Sequence, residues 1–188
     1  MDEGDDTDLI GRVIEGDRRA FDLLMRRHEE RIFAVCLGMM RDREAALDAT
    51  QDTFLTVFRK AQQFRGDAKL TTWMHRIAVN TCLDRLRSRQ RRATSPLESV
   101  AEPEDATATD PFTGVDLRPA IEDALSRIPD EYRAAIVLCD LQGASVAEAA
   151  DVLEIAVGTV KSRLHRGRRL LARDLGNLRH PSDRPKGT

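Results

Sequence analysis

After Asp17 the apolar positions recur three and four apart. Phe21, Leu24, Met25, Ile32, Val35, Cys36 and Met39, with His28 among them, share one side of a helix, and Asp17 stands where an N-cap belongs. A shorter helix, Asp8 to Glu15, precedes it and is cut off by Gly16-Asp17. Asp42 is placed to cap a second long helix, whose apolar side reads as Leu47, Phe54, Leu55, Phe58 and Ala61. After the loop Arg65-Gly-Asp-Ala-Lys69, Thr71 or Thr72 opens a third long helix through Trp73, Ile77, Leu83 and Leu86. The spacing predicts a helical bundle over residues 7–92. Residues 93–117 show no period and are rich in Pro, Thr, Ala and acid, the composition of a flexible linker. The helical period returns over 118–177. A helix from Pro119 to Arg127 stops before Ile128-Pro129. Asp130 is placed to cap the next, through Ala134, Ile136, Val137, Leu138 and Leu141, which ends at Gly143. Ser145 and Glu148 form a capping box ahead of a small apolar helix, and a short turn then leads into a helix crowded with Lys and Arg. The expected fold is all-α: two helical domains joined by a flexible acidic linker, the C-terminal domain a helix-turn-helix.

Charge changes this picture. The 188 residues carry a net charge of only −2, so bulk charge says nothing of nucleic acid. Its distribution does. Residues 59–92 hold ten Lys and Arg against Asp67 and Asp84, and 161–173 hold six with no acid. The stretch between them is acidic, with Glu98, Glu102, Glu104, Asp105, Asp110 and Asp116. Two basic modules on an acidic tether point to a nucleic-acid partner.

Other classes are excluded by what the chain lacks. Cys36, Cys82 and Cys139 are far apart and form no Cys/His cluster, so they read as small buried hydrophobes; no metal and no cofactor are expected. No nucleotide-binding, hydrolase or zinc-protease motif is present, so no catalytic residue is assigned and the protein is not read as an enzyme. The acidic start, Met1-Asp-Glu-Gly-Asp-Asp6, is unlike a signal peptide, and no apolar run approaches a membrane span. A cytoplasmic protein without membrane insertion is expected.

Three groups of residues remain as candidates. In the last helix Thr159, Ser162, Arg163 and Arg166 share a face, with Lys161 and His165 beside it. Side chains so placed near a helix start can reach base edges in a major groove, while Arg168, Arg169 and Arg173 suit phosphates. Trp73, Arg76 and Asn80, with Lys69 in the loop ahead, put an aromatic, a cation and an amide on one face, a set able to hold an unpaired base. Spacing alone equally allows Trp73 to be core and the cations to be ordinary surface. Asp48, Gln51 and Asp52, with Phe54 and Phe58, could dock on a basic partner helix or form a solvated face.

Taken together, these motifs resemble the bacterial ECF sigma factors. Asp48-Ala-Thr-Gln-Asp-Thr-Phe54, Phe64-Arg-Gly-Asp67 and Thr72-Trp-Met-His-Arg-Ile-Ala-Val-Asn80 are similar to the first conserved domain of that family. Leu125-Ser-Arg-Ile-Pro129 and Gly158-Thr-Val-Lys-Ser-Arg-Leu-His-Arg166 are similar to the second. The resemblance implies that Asp48, Gln51, Asp52 and Phe54 bind core RNA polymerase. It implies that Lys69, Trp73, Arg76 and Asn80 hold the melted promoter −10 strand, and that Thr159, Lys161, Ser162, Arg163 and Arg166 read −35 duplex. It also implies an anti-sigma factor as a regulating partner. Leu47 stands where the family often has an acid, Glu154 where Gly or Asn is common, and Ala156 where Ser or Pro is usual. A stand-alone helix-turn-helix regulator is the alternative. The tether is long enough for two-site promoter reading. About 24 residues span roughly 27 Å relaxed and about 80 Å extended, against about 55 Å between elements ~16 base pairs apart.

Overall fold

The computed structural model describes residues 5–93 and 118–178, all of its regular elements being helical. The first domain holds α1 (Asp6–Ile14), α2 (Arg18–Met40), α3 (Arg43–Lys60), a single 3-10 turn (Ala61–Gln63) and α4 (Leu70–Ala93). The second holds α5 (Arg118–Ser126), α6 (Asp130–Ile136), a π-helical turn (Val137–Leu141), α7 (Val146–Leu153) and α8 (Val157–Leu178). The linker expected over 93–117 lies, beyond Ala93, outside the described residues.

Local chemistry sets the helix ends. Asp17 accepts from the Arg19 and Ala20 amides, and Asp42 accepts from Ala45 N at 2.6 Å. Each satisfies amide donors that have no partner within the helix. Asp5 caps α1, which therefore starts two residues before Asp8. Asp130 is not the cap expected of it. Pro129 occupies that position, and Asp130, the first residue of α6, turns its carboxylate to Arg133 at 2.8 Å and Arg41 at 3.6 Å. The Ser145–Glu148 capping box is present in full.

The α2 stripe packs as expected, burying Leu24, Ile32, Val35, Cys36 and Met39. In α3 the buried side differs from the sequence expectation. Ala45, Ala46, Ala49, Thr50, Thr53, Phe54 and Val57 face inward, whereas Leu47, Leu55 and Phe58 are about half exposed. The cause is close approach. α3 packs against both α2 and α4, and small side chains let three helix backbones draw together where leucines would hold them apart. The Thr50 and Thr53 hydroxyls donate back to the carbonyls of Ala46 and Ala49, so no polar group is stranded there. Cys36 and Cys82 are fully buried, and Cys139 is partly exposed.

The two domains pack on each other. α4 lies along α7, and the C-terminal half of α2 meets α6 and the π turn. Gly38 makes room for the second contact. A Cβ there would stand 2.8 Å from Val137 Cγ2. Arg133 of α6, with no exposed surface, donates from Nε to Leu125 O, from Nη2 to Ile128 O and, across the boundary, from Nη1 to Met39 O at 2.8 Å.

Candidate nucleic-acid interface

The α8 face stands clear of the first domain. Val160 and Leu164 turn inward. Gly167 lets the helix sit on α6, where a Cβ would come within 2.8 Å of Ile136 Cδ1. The opposite side of α8 is therefore turned outward. Lys161, Ser162 and Arg166 are exposed, and Thr159 and Arg163 half so. Ser162 Oγ donates to Thr159 O at 2.9 Å. The turn ahead is closed by Glu154 in the left-handed region, φ 55°, which places α8 from Val157 onward. Arg166, Arg169 and Arg173 line an open depression with Tyr132 and Leu170. Arg168 is engaged elsewhere, bridging to Asp140 at 2.6 and 3.0 Å, which holds α8 to the π turn.

The second candidate group is brought together, and its two cations are engaged by the second domain. Lys69, Trp73, Arg76 and Asn80 lie along one face of α4 or just ahead of it. Trp73 is half-buried against the Phe64 ring, centroids 5.4 Å apart, which makes it part core, and Asn80 is exposed. Both cations are met by α7. Lys69 Nζ lies 3.0 Å from Glu148 Oε1. Arg76 donates from Nη1 to Glu154 Oε1 at 3.1 Å and from Nη2 to Asp151 O at 2.9 Å. The buried Arg76 Nε has no hydrogen-bond partner among the described residues. No local pattern points to these α7 partners; by sequence Glu148 reads only as a capping residue.

Lys69 and the Ser145 backbone and hydroxyl donors hold the Glu148 carboxyl down to about 2, from an ordinary 4.5. The Ser145 bonds belong to α7's own cap and persist when the domains separate, so only the Lys69 part of the depression is linked to docking; that part is fully present above the undocked value and is lost as pH falls through the docked one. Energy transfer between fluorophores on the two domains should therefore fall on acidification below the ordinary carboxylate range toward about 2. In Glu148→Gln it should already be lower at pH 7 and respond less over that window.

The third group lies on α3. Asp48 and Gln51 are exposed and Asp52 half so, on the outward side with Leu47 and Leu55. Phe54 does not join them. It is 4% exposed and belongs to the core, because it projects from the side of α3 that packs inward. Phe58 rests edge-on against Phe21 at 5.0 Å. Arg85 of α4, which no sequence motif singles out, lies against both acids: Nε donates to Asp52 Oδ2 at 3.0 Å, Nη2 makes a second bond to the same atom, and Nη1 is 3.6 Å from Asp48 Oδ2. Beneath, a hydrogen bond to Cys36 and burial push the Cys82 thiol far up, so it stays protonated. Among the described residues no helix is long and apolar enough to cross a membrane, and no group of three or more His, Cys, Asp or Glu is placed to hold a metal ion.

A helix-turn-helix with a free basic face, joined to a helical bundle with its own polar strip, defines a two-domain protein of the sigma-70 type. The family model for sigma-70 region 2 matches residues 24–92, and that for sigma-70 region 4 matches residues 118–171. The chain belongs to the ECF RNA polymerase sigma factors. It is 46% identical to the ECF RNA polymerase sigma factor SigM of Mycobacterium tuberculosis over 94% of this chain and 87% of that one. It is 30% identical to the RNA polymerase sigma-H factor of Pseudomonas aeruginosa over 92% and 95%. Among solved structures it resembles the sigma factor RpoE of Bartonella quintana in complex with the anti-sigma factor NepR, with TM-score 0.68, 26% identity, and coverage of 87% of this chain and 98% of that one.

Proposed function

We propose that this chain binds core RNA polymerase and directs it to promoters, working as three parts: residues 7–92, a tether over 93–117, and residues 118–177. The α3 face at Asp48, Gln51 and Asp52 docks on polymerase. The α8 residues Thr159, Lys161, Ser162, Arg163 and Arg166 read the −35 duplex. Lys69, Trp73, Arg76 and Asn80 hold unpaired bases of the −10 element, which favours melting because those bases bind only when unstacked. The chain makes and breaks no bond, and it acts inside the cell where polymerase works. The observation that carries this reading is the unobstructed basic face of α8, on a helix fixed by its own domain. Arg163→Ala should lose about 1–3 kcal/mol of −35 discrimination while core binding is kept.

The α4 face is engaged by α7 in the free chain, so strand capture requires the two domains to separate. Docking on polymerase supplies the separation, and an anti-sigma partner, of the class bound to the Bartonella sigma factor, holds this chain in the compact form. The apolar groove of about 380 Å³ between α2 and α5, lined by Leu37, Gly38, Ile121, Leu125 and Leu141, suits an apolar helix of such a partner. The deciding experiment is run-off transcription with purified core polymerase. Initiation at defined start points is expected; binding to DNA without any promoter-specific transcript would favour a stand-alone regulator and overturn the reading. Asp52→Arg should weaken holoenzyme formation and leave −35 duplex binding intact, as read by core titration and by gel shift.

A further inference from the structure

Asp48 and Asp52 stand one turn apart on α3, where like charges repel and exposed carboxylates rotate freely. Arg85 reaches them from another helix. Its two bonds to Asp52 fall on one oxygen, Oδ2, and its approach to Asp48 is again to Oδ2. Neither hydrogen bond from Arg85 to Asp52 falls on Oδ1. The guanidinium sits low, with its side chain 31% exposed against 65% for Asp48 and 48% for Asp52. Its charge is also felt by the buried Cys36 and Cys82 thiols beneath.

We propose that Arg85 is a positioning residue of the polymerase-docking face, fixing Asp48 and Asp52 at one spacing. The proposal rests on the assignment of those acids to polymerase binding. An ion pair this exposed adds little to the stability of a fold. Its effect lies in arrangement. The fork relieves the repulsion between the acids and selects their rotamers before a partner arrives, which lowers the ordering cost of association. One cation against two anions leaves the cluster net negative. Around it, Leu47 and Leu55 add exposed apolar surface. The matching partner surface is a helix carrying Lys or Arg beside apolar residues.

The test uses the full chain and purified core polymerase. Arg85→Met keeps the apolar stem and removes the fork. It should weaken holoenzyme formation about tenfold, the measure of one charge-assisted hydrogen bond lost. Arg85→Lys should recover part of this, since a point charge can hold one acid but not both. With Asp48→Asn and Asp52→Asn already present, Arg85→Met should cause no further loss, and the melting temperature should stay constant throughout. Unchanged affinity would overturn the proposal. A tighter complex would also overturn it, because Arg85 would then be masking the acids. A loss that persists without the acids, or that follows the melting temperature, would make Arg85 structural only. If Asp52→Arg leaves holoenzyme formation untouched, the docking face itself is misassigned; if Asp52→Arg weakens it and Arg85→Met does not, only the positioning role fails.

Discussion

Replacing Arg133 with methionine should leave the second domain largely unfolded at temperatures the native chain tolerates. The guanidinium has no exposed surface and serves four acceptors: Leu125 O, Ile128 O, Met39 O and the Asp130 carboxylate. Burial, with Arg41 nearby, pulls it below the ordinary arginine value while Asp130 pushes the other way, and it remains a cation at neutral pH. Methionine fills the stem and makes none of the four contacts. The Ile128 and Met39 carbonyls carry most of the penalty, since Leu125 O keeps its bond from Ile128 N and Asp130 is partly exposed and can turn to water or Arg41. Removing one partner from such a site costs about 3–5 kcal/mol, a large part of the roughly 5–15 kcal/mol typical of a domain. Thermal melting followed by circular dichroism should show an early transition in Arg133→Met; a single transition within a degree or two of the native one would refute the role assigned to the buried cation.

Gly38→Val should produce the second large effect, in arrangement instead of folding. The added atoms meet the Val137 methyls at 2.8 and 3.2 Å, and Val137 is itself fully buried and cannot retreat. Nothing within the first domain lies among the nearest atoms to that position, so α2 should remain helical and the clash should fall on the contact between domains. Overpacking of this kind costs about 1–3 kcal/mol, enough to move a modest docking equilibrium by about tenfold or more. Small-angle scattering should report a larger radius of gyration. Single-stranded −10 oligonucleotides should bind more tightly than to the native chain, because Lys69 and Arg76 are no longer paired with Glu148 and Glu154. An unchanged radius would mean that the packing at Gly38 does not hold the domains together.

Much of this architecture is legible in the chain. Asp17, Asp42 and the Ser145–Glu148 pair announce their helix starts because capping is a local exchange between one side chain and the next three amides. The α2 stripe is equally plain, since its neighbours bury one broad face. α3 misleads because its core side is built from alanine and threonine, whose hydropathy is weaker than that of the leucines left outside. Phe54 falls into the docking group by sequence for the same reason, the inward side of α3 being hard to recognise. The long-range partners, Glu148 and Glu154 for Lys69 and Arg76, and Met39 O for Arg133, are invisible to any local pattern. They join positions 75 or more residues apart, and only the packing of the second domain on the first brings them into reach.

The two contacts between the domains are of different physical kinds. Along α4 the polar ties are the exposed Lys69–Glu148 pair and the Arg76–Glu154 pair, which dissolved salt screens over about 8–10 Å, with one bond from Arg76 to Asp151 O beside them. At α2 one such pair is present, Arg41 with Asp130 at 3.6 Å, but close-packed methyl groups and a dry guanidinium, on which salt has little hold, make up the rest. Rising ionic strength should thus free one end before the other, and the second domain should swing about the α2 contact like a door on its hinge, the latch at Lys69 and Arg76 giving way first.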